Sequence, residues 1–137
     1  MIFVLRLVIL LLGLLFVWMG LGFLVSPTIS GSDFGLVAID NGGLSSIRAD
    51  FTAFFWVSGG AFLIAAWRVN REILLVTVAL MGITLIGRAV SLAVDGTYDG
   101  WFLPMTVEAL TVLVGLAGYR LLPAATVSAQ TGPDTAD

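Results

Sequence analysis

The sequence contains no cysteine and no histidine, and because all six basic residues are arginine it contains no lysine either. Each absence removes a class of chemistry. Without cysteine there are no disulfides, no thiol redox, no cysteine nucleophile and no iron–sulfur cluster. Without histidine there is no haem ligand and no imidazole-based metal site. Without lysine there is no Schiff base to retinal or pyridoxal phosphate. Charge of either sign is scarce: charged residues make up 11 % of the 137, where soluble chains run near ~25 %. The arginines form no cluster and the net charge is −3. Nucleic acid is therefore not expected as a partner.

What fills the chain instead is apolar. Hydrophobic residues account for 59 % of it, with a mean hydropathy of +1.09. They fall into long runs that a water-facing core could not enclose, so the expected solvent is lipid. A helix needs ~20 mainly apolar residues to cross ~30 Å of hydrocarbon. Four runs meet or approach that length: Ile2 to Val25, Phe51 to Trp67, Ile73 to Val94 and Phe102 to Leu122. No alternating strand pattern occurs, and an unpaired backbone cannot sit in lipid. The expected fold is all-α: a four-helix transmembrane bundle spanning residues 1–122, with an external loop between the first and second helices. The first run exceeds a signal-peptide core of about 7–15 residues, and Val25-Ser26-Pro27-Thr28 offers no small-x-small cleavage site. It is expected to remain as a span.

Arginine placement orients the bundle. Arg6, Arg68, Arg71 and Arg120 fall at one end, while Asp33, Asp40, Asp95 and Asp99 fall at the other with Arg48. The arginine end is expected to be cytoplasmic. This reads as a multi-pass protein of the inner (plasma) membrane with both termini in the cytoplasm. Trp67 and Trp101 stand at opposite helix ends, where interfacial Trp belongs. In the external segment Ser26-Pro27 ends the first helix, and Asp40-Asn41-Gly42-Gly43 has turn chemistry. The apolar stretch Phe34 to Ile39 between them suits either a short interfacial helix or one arm of a hairpin. The tail 123–137, rich in Ala, Thr, Ser and Pro, reads as a disordered cytoplasmic segment.

The few polar residues inside the spans are ordered. Thr77, Thr84, Arg88, Ser91 and Asp95 share one face of the third helix, and Glu108, Thr111, Gly115 and Gly118 share one face of the fourth. Asp50, Phe54, Ser58, Ala61 and Ala65 form a stripe on the second. Polar and small faces turn inward in a membrane bundle. Arg88 lies seven residues before Asp95, and Glu108 seven after Trp101, so both sit ~10 Å inside the same boundary. A charge at that depth needs a partner. An Arg88–Glu108 ion pair is expected, with Arg48, Asp50 and Asp95 extending it into a network and Thr84, Ser91 and Thr111 completing the polar face. Such a network fixes helix register and packing, lines a cavity open to the outer leaflet that holds a polar group, or relays protons or ions. The glycine pairs Gly59-Gly60 and Gly115 with Gly118 are expected to serve packing.

Several short strings fall in a familiar order: Leu24-Val25-Ser26-Pro27, Leu44-Ser45-Ser46-Ile47-Arg48-Ala49-Asp50-Phe51, Gly87-Arg88, Asp95-Gly96 and Glu108. Together they resemble domain-of-unknown-function family 4345, small bacterial membrane proteins similar to the wider DoxX-like group. The resemblance covers nearly the whole chain and implies a four-helix membrane fold with no established activity. Where many relatives carry Tyr-Gly-Gly soon after the Arg, this chain has Phe51 to Phe55, so no role of that Tyr carries over.

Three functional readings follow. The first is a non-enzymatic module that binds a lipid or other hydrophobic ligand, or serves as an accessory subunit of a membrane complex. The second is a small proton-coupled transporter using Glu108 or Asp50; an Arg88 at the same depth as Glu108 argues against it. The third is an enzyme using Asp50 and Glu108 as acid and base and Arg48 or Arg88 as an anion clamp, which no nucleophile or metal motif supports. No enzyme activity and no cofactor is expected, a bound lipid being the one small molecule the composition invites. Membrane lipids, a second copy of the chain or a larger membrane complex are the expected partners.

Overall fold

A computed structural model describes residues 2–68 and 70–123. The described residues form five α-helices: α1 (Ile2–Val25), α2 (Pro27–Ser32), α3 (Asn41–Arg68), α4 (Leu74–Val94) and α5 (Phe102–Leu121). A single 3-10 turn, Arg71–Ile73, leads into α4. No strand occurs among the described residues. Helices α1, α3 and α5, and the unit formed by α4 with its 3-10 turn, are each long and apolar enough to cross a membrane. The tail expected to be disordered lies, beyond Pro123, outside the described residues.

Helix α3 is longer than its apolar run. It starts at Asn41, ten residues before Phe51. The string Asp40-Asn41-Gly42-Gly43 is therefore not a free turn. Asp40 stands just before the helix and its Oδ1 accepts from the Gly43 N–H at 2.8 Å, which satisfies one of the orphan donors of the first turn. At ~1.5 Å per residue α3 is roughly 42 Å long, more than the ~30 Å that a hydrocarbon core would require. The stretch before it is neither the short helix nor the hairpin arm that its apolar character suggests. Pro27 opens α2 at the position where a missing N–H costs nothing. The chain then turns at Gly35, whose φ of 73° lies in the left-handed region. Phe34 folds back onto Phe23 with ring centroids 5.3 Å apart. Val37 and Ile39 point away, Ile39 fully exposed.

The chain makes two antiparallel pairs, α1 along α3 and α4 along α5. In the first pair glycines allow backbone contact: a Cβ on Gly59 would meet the Gly13 carbonyl oxygen at 2.8 Å. The two pairs join at the end that carries Arg6, Arg68, Arg71 and Arg120. There Ile9, Phe62, Ala65, Ala66, Leu74 and Leu122 form one buried cluster. Gly115 and Gly118 on α5 admit the side chains of Val78, Leu74 and Ile9, so these glycines serve packing. Higher up, Phe16, Phe23, Phe55 and Met81 form a second cluster, with Phe23 stacked on Phe51 at 4.8 Å and on Phe55 at 5.6 Å.

Arginines tie the helix ends. Arg6 Nη2 donates to the Ala66 carbonyl at 2.7 Å, and Arg48 Nη1 donates to the Leu24 carbonyl at 2.8 Å. Each carbonyl belongs to the last turn of a helix, where no intrahelical donor remains and a cation meets the negative end of the helix dipole. Thr77 Oγ1 donates to the Ser58 carbonyl at 2.8 Å and fixes α4 against α3.

Candidate functional site

Above Met81 the two helix pairs part, and a cavity of about 810 Å³ opens between them toward the loop end. That volume lies within the range of small-molecule sites, ~300–1,000 Å³. One wall comes from α1 and α3: Phe16, Met19, Phe51, Phe54 and Phe55. The other comes from α4 and α5: Met81, Thr84 and Arg88 face Leu103, Pro104, Val107 and Glu108. Two loops form the mouth, Asp33 to Gly35 from one and Tyr98 to Gly100 from the other. The depth of the cleft is apolar and aromatic, and its upper part is polar.

Arg88 and Glu108 meet there. Arg88 Nε donates to Glu108 Oε1 at 2.7 Å. Their side chains differ in access, with 29 % of Arg88 exposed against 8 % of Glu108. The antiparallel pairing of α4 and α5 brings them to one level, since each lies two turns from the loop that joins the helices. Arg88 Nη1 reaches the Tyr98 hydroxyl at 3.4 Å. Glu108 is only half satisfied. Its Oε2 is buried and has no hydrogen-bond partner among the described residues. Buried polar atoms are paired in the great majority of cases, and an orphan asks for an explanation.

The wider network read from the sequence divides. Asp50 lines the cleft with the ion pair, exposed at the mouth. Arg48 does not join it. Its guanidinium is used on the Leu24 carbonyl, because the end of α1 presents an orphan acceptor within its reach. Asp95 does not join it either. It stands just past the end of α4 and accepts from Ser91 Oγ at 2.7 Å, so Ser91 and Asp95 form a local pair above the cleft. Thr84 lines the cleft, with its hydroxyl donating to the Leu80 carbonyl. Thr111 is buried one turn below Glu108 and donates to the Val107 carbonyl, outside the cleft lining.

Sequence reasoning does not reach Tyr98, Asp33 or Asp99 as site residues. Tyr98 arrives because the loop from Asp95 to Trp101 folds back through Gly96 and Gly100, with φ of 89° and 78°. The two Asp-Gly pairs within six residues are the signal that could have found it, since they mark two tight turns. Although four carboxylates line the cleft, no three of the acidic groups among the described residues converge closely enough to hold a metal ion.

A family model described as a domain of unknown function (DUF4345) matches residues 4–119. No curated protein and no solved structure matches the chain.

Proposed function

The chain belongs to the DUF4345 family, whose description assigns no activity, and from that premise and the cleft we propose that it is a non-enzymatic membrane module that holds one amphiphilic molecule between its two helix pairs. The observation that carries this reading is the form of the cleft: aromatic and aliphatic walls in its depth, and the Arg88–Glu108 pair beside Asp50 and Tyr98 in its upper part. An apolar tail fits the first region and a polar head the second. An accessory role in a larger membrane complex is compatible with this, the bound molecule then being shared with a partner. Proton-coupled transport would need Glu108 or Asp50 to load and unload a proton, and the 2.7 Å contact with Arg88 keeps Glu108 engaged.

Binding is tested by native mass spectrometry on the full chain in a neutral detergent. The probes share a hexadecyl chain: hexadecanol, hexadecylamine and palmitic acid. At least one is expected to be retained at one molecule per chain. Thr84→Trp, which places an indole in the cleft, is expected to abolish that retention. Retention of none of the three, or equal retention in Thr84→Trp, overturns the proposal.

The same reading puts the module in the inner (plasma) membrane with both termini in the cytoplasm; the four arginines gathered at one end of the bundle and the acidic loops at the other support it. A reporter fused after Asp137 that is active only outside the cytoplasm is expected to stay silent. Activity of that fusion would invert the topology.

A further inference from the structure

Building on the amphiphile-binding reading, we propose that the cleft selects a cationic head group, a protonated amine on an apolar chain, through the free oxygen of Glu108. Glu108 is more than nine-tenths buried and lines the cleft. One oxygen accepts from Arg88 Nε at 2.7 Å, and the other, Oε2, has no partner among the described residues. A buried carboxylate oxygen without a donor is costly. Oε2 is closed to solvent, so a ligand reaches it by turning the Glu108 carboxylate toward the cleft that the side chain lines; a group that donates a hydrogen bond then removes the cost, and an acceptor does not.

The charge of the lining points the same way. Asp33, Asp50, Asp99 and Glu108 face the cleft, against Arg88 as its one cation among the described residues. Arg88 is itself engaged, with Nε on Glu108 and Nη1 on the Tyr98 hydroxyl. An anionic head would meet three further carboxylates, Asp33, Asp50 and Asp99, at the mouth itself. A cationic head meets them as it enters and ends against Glu108. Phe51, Phe54 and Tyr98 line the same space, and aromatic faces attract ammonium groups. A metal cation is the poorer fit, because no three acidic groups among the described residues converge. An ammonium needs only one or two acceptors in its immediate reach and tolerates the aromatic walls.

The amine can come from a membrane lipid or from a free long-chain amine, and the chemistry at Glu108 is the same. The test presents the full chain in neutral detergent with equal amounts of phosphatidylethanolamine, phosphatidylglycerol, hexadecylamine, hexadecanol and palmitic acid, and counts adducts by native mass spectrometry. The amine-bearing probes are expected to be retained about tenfold or more over palmitic acid and phosphatidylglycerol, the size of one charge-assisted hydrogen bond. Retention of phosphatidylethanolamine but not hexadecylamine identifies a lipid, the reverse a free amine, and retention of both means that the ammonium suffices. Each of these supports the proposal.

Glu108→Gln is the discriminating variant. An amide oxygen can still accept from Arg88, while the amide nitrogen puts a donor where the free acceptor was. The preference for amines is expected to disappear in it, with hexadecanol retained as before. Asp50→Asn, at the exposed mouth, is expected to reduce the preference about two- to fivefold without altering the bundle, an estimate for a solvent-screened charge. Equal or stronger retention of the anionic probes, or an unchanged preference in both variants, overturns the cationic selection. If all head groups bind equally and Thr84→Trp still excludes them, the amphiphile module stands and only this inference falls. If nothing binds at all, both fall.

Discussion

Glu108→Leu is expected to cost close to 3 kcal/mol of stability, the lower part of the ~3–5 kcal/mol typical of breaking a buried ion pair from one side. The cost arises because Arg88 stays charged under any accessible condition and loses its 2.7 Å acceptor. It is held to the low end because the Arg88 side chain keeps 29 % exposure and borders a cleft that also contains Asp50. Arg88→Leu is expected to be milder. It strands a carboxylate, which can take up a proton and become a neutral group. The double change to Leu at both positions should cost less than the two single changes added, with a coupling of ~0.5–3 kcal/mol. Thermal unfolding of the wild type, both singles and the double in one detergent measures the cycle. Strict additivity would mean that the contact contributes nothing to holding α4 against α5. The same cycle separates structure from binding: Glu108→Leu damages both, whereas the Gln variant should leave the unfolding transition near that of the wild type.

Why the pair was legible in the sequence while its surroundings were not is a matter of what each residue needs. Arg88 and Glu108 are isolated charges in apolar helices, at equal distance from the loop between them. Each is the one opposite charge at its own depth on the facing helix, so depth points to the contact. The four long apolar helices were legible for a similar reason, since a helix apolar enough to cross lipid shows as one continuous run of hydropathy. Arg48 had more than one possible partner. Beside Asp50 in sequence it suggested a carboxylate network, yet a helix end also offers an acceptor, and where α1 ends relative to α3 is set by packing that no local pattern encodes. The start of α3 was obscured because Asp-Asn-Gly-Gly is equally good as a turn and as an N-cap. The N–H of Gly43 decides between them by bonding to Asp40. The cleft is the hardest feature to read from sequence. It is a place where two helix pairs fail to touch, and its aromatic wall at Phe51, Phe54 and Phe55 looks in sequence like any other apolar turn.

The second large effect is expected at Gly59. It lies on α3 where that helix meets α1, and a Cβ there would stand 2.8 Å from the Gly13 carbonyl oxygen and 2.9 Å from the Val17 backbone nitrogen. Both obstacles are backbone, so relief requires the two helices to move apart. Gly115 and Gly118 differ in kind. A Cβ at either would press on the side chains of Val78 on one hand and Leu74 and Ile9 on the other, and side chains can turn aside. Gly59→Ala is therefore expected to cost about 1–3 kcal/mol, the usual price of overpacking a close contact. Gly60→Ala is its control one residue along. Nothing lies within 4 Å of a Cβ at Gly60, so that change should be neutral or gain up to ~1 kcal/mol from helix propensity. Thermal unfolding of both variants under identical conditions compares them. The separation forced at Gly59 would also displace Phe55, one helical turn above it, which packs on Phe16 and Phe23 and forms part of the cleft wall. Hexadecyl-chain retention should therefore fall in Gly59→Ala and persist in Gly60→Ala. Equal stability of the two would show that α1 and α3 do not meet through Gly13 and Gly59, and that the cleft wall is not held in place by their contact.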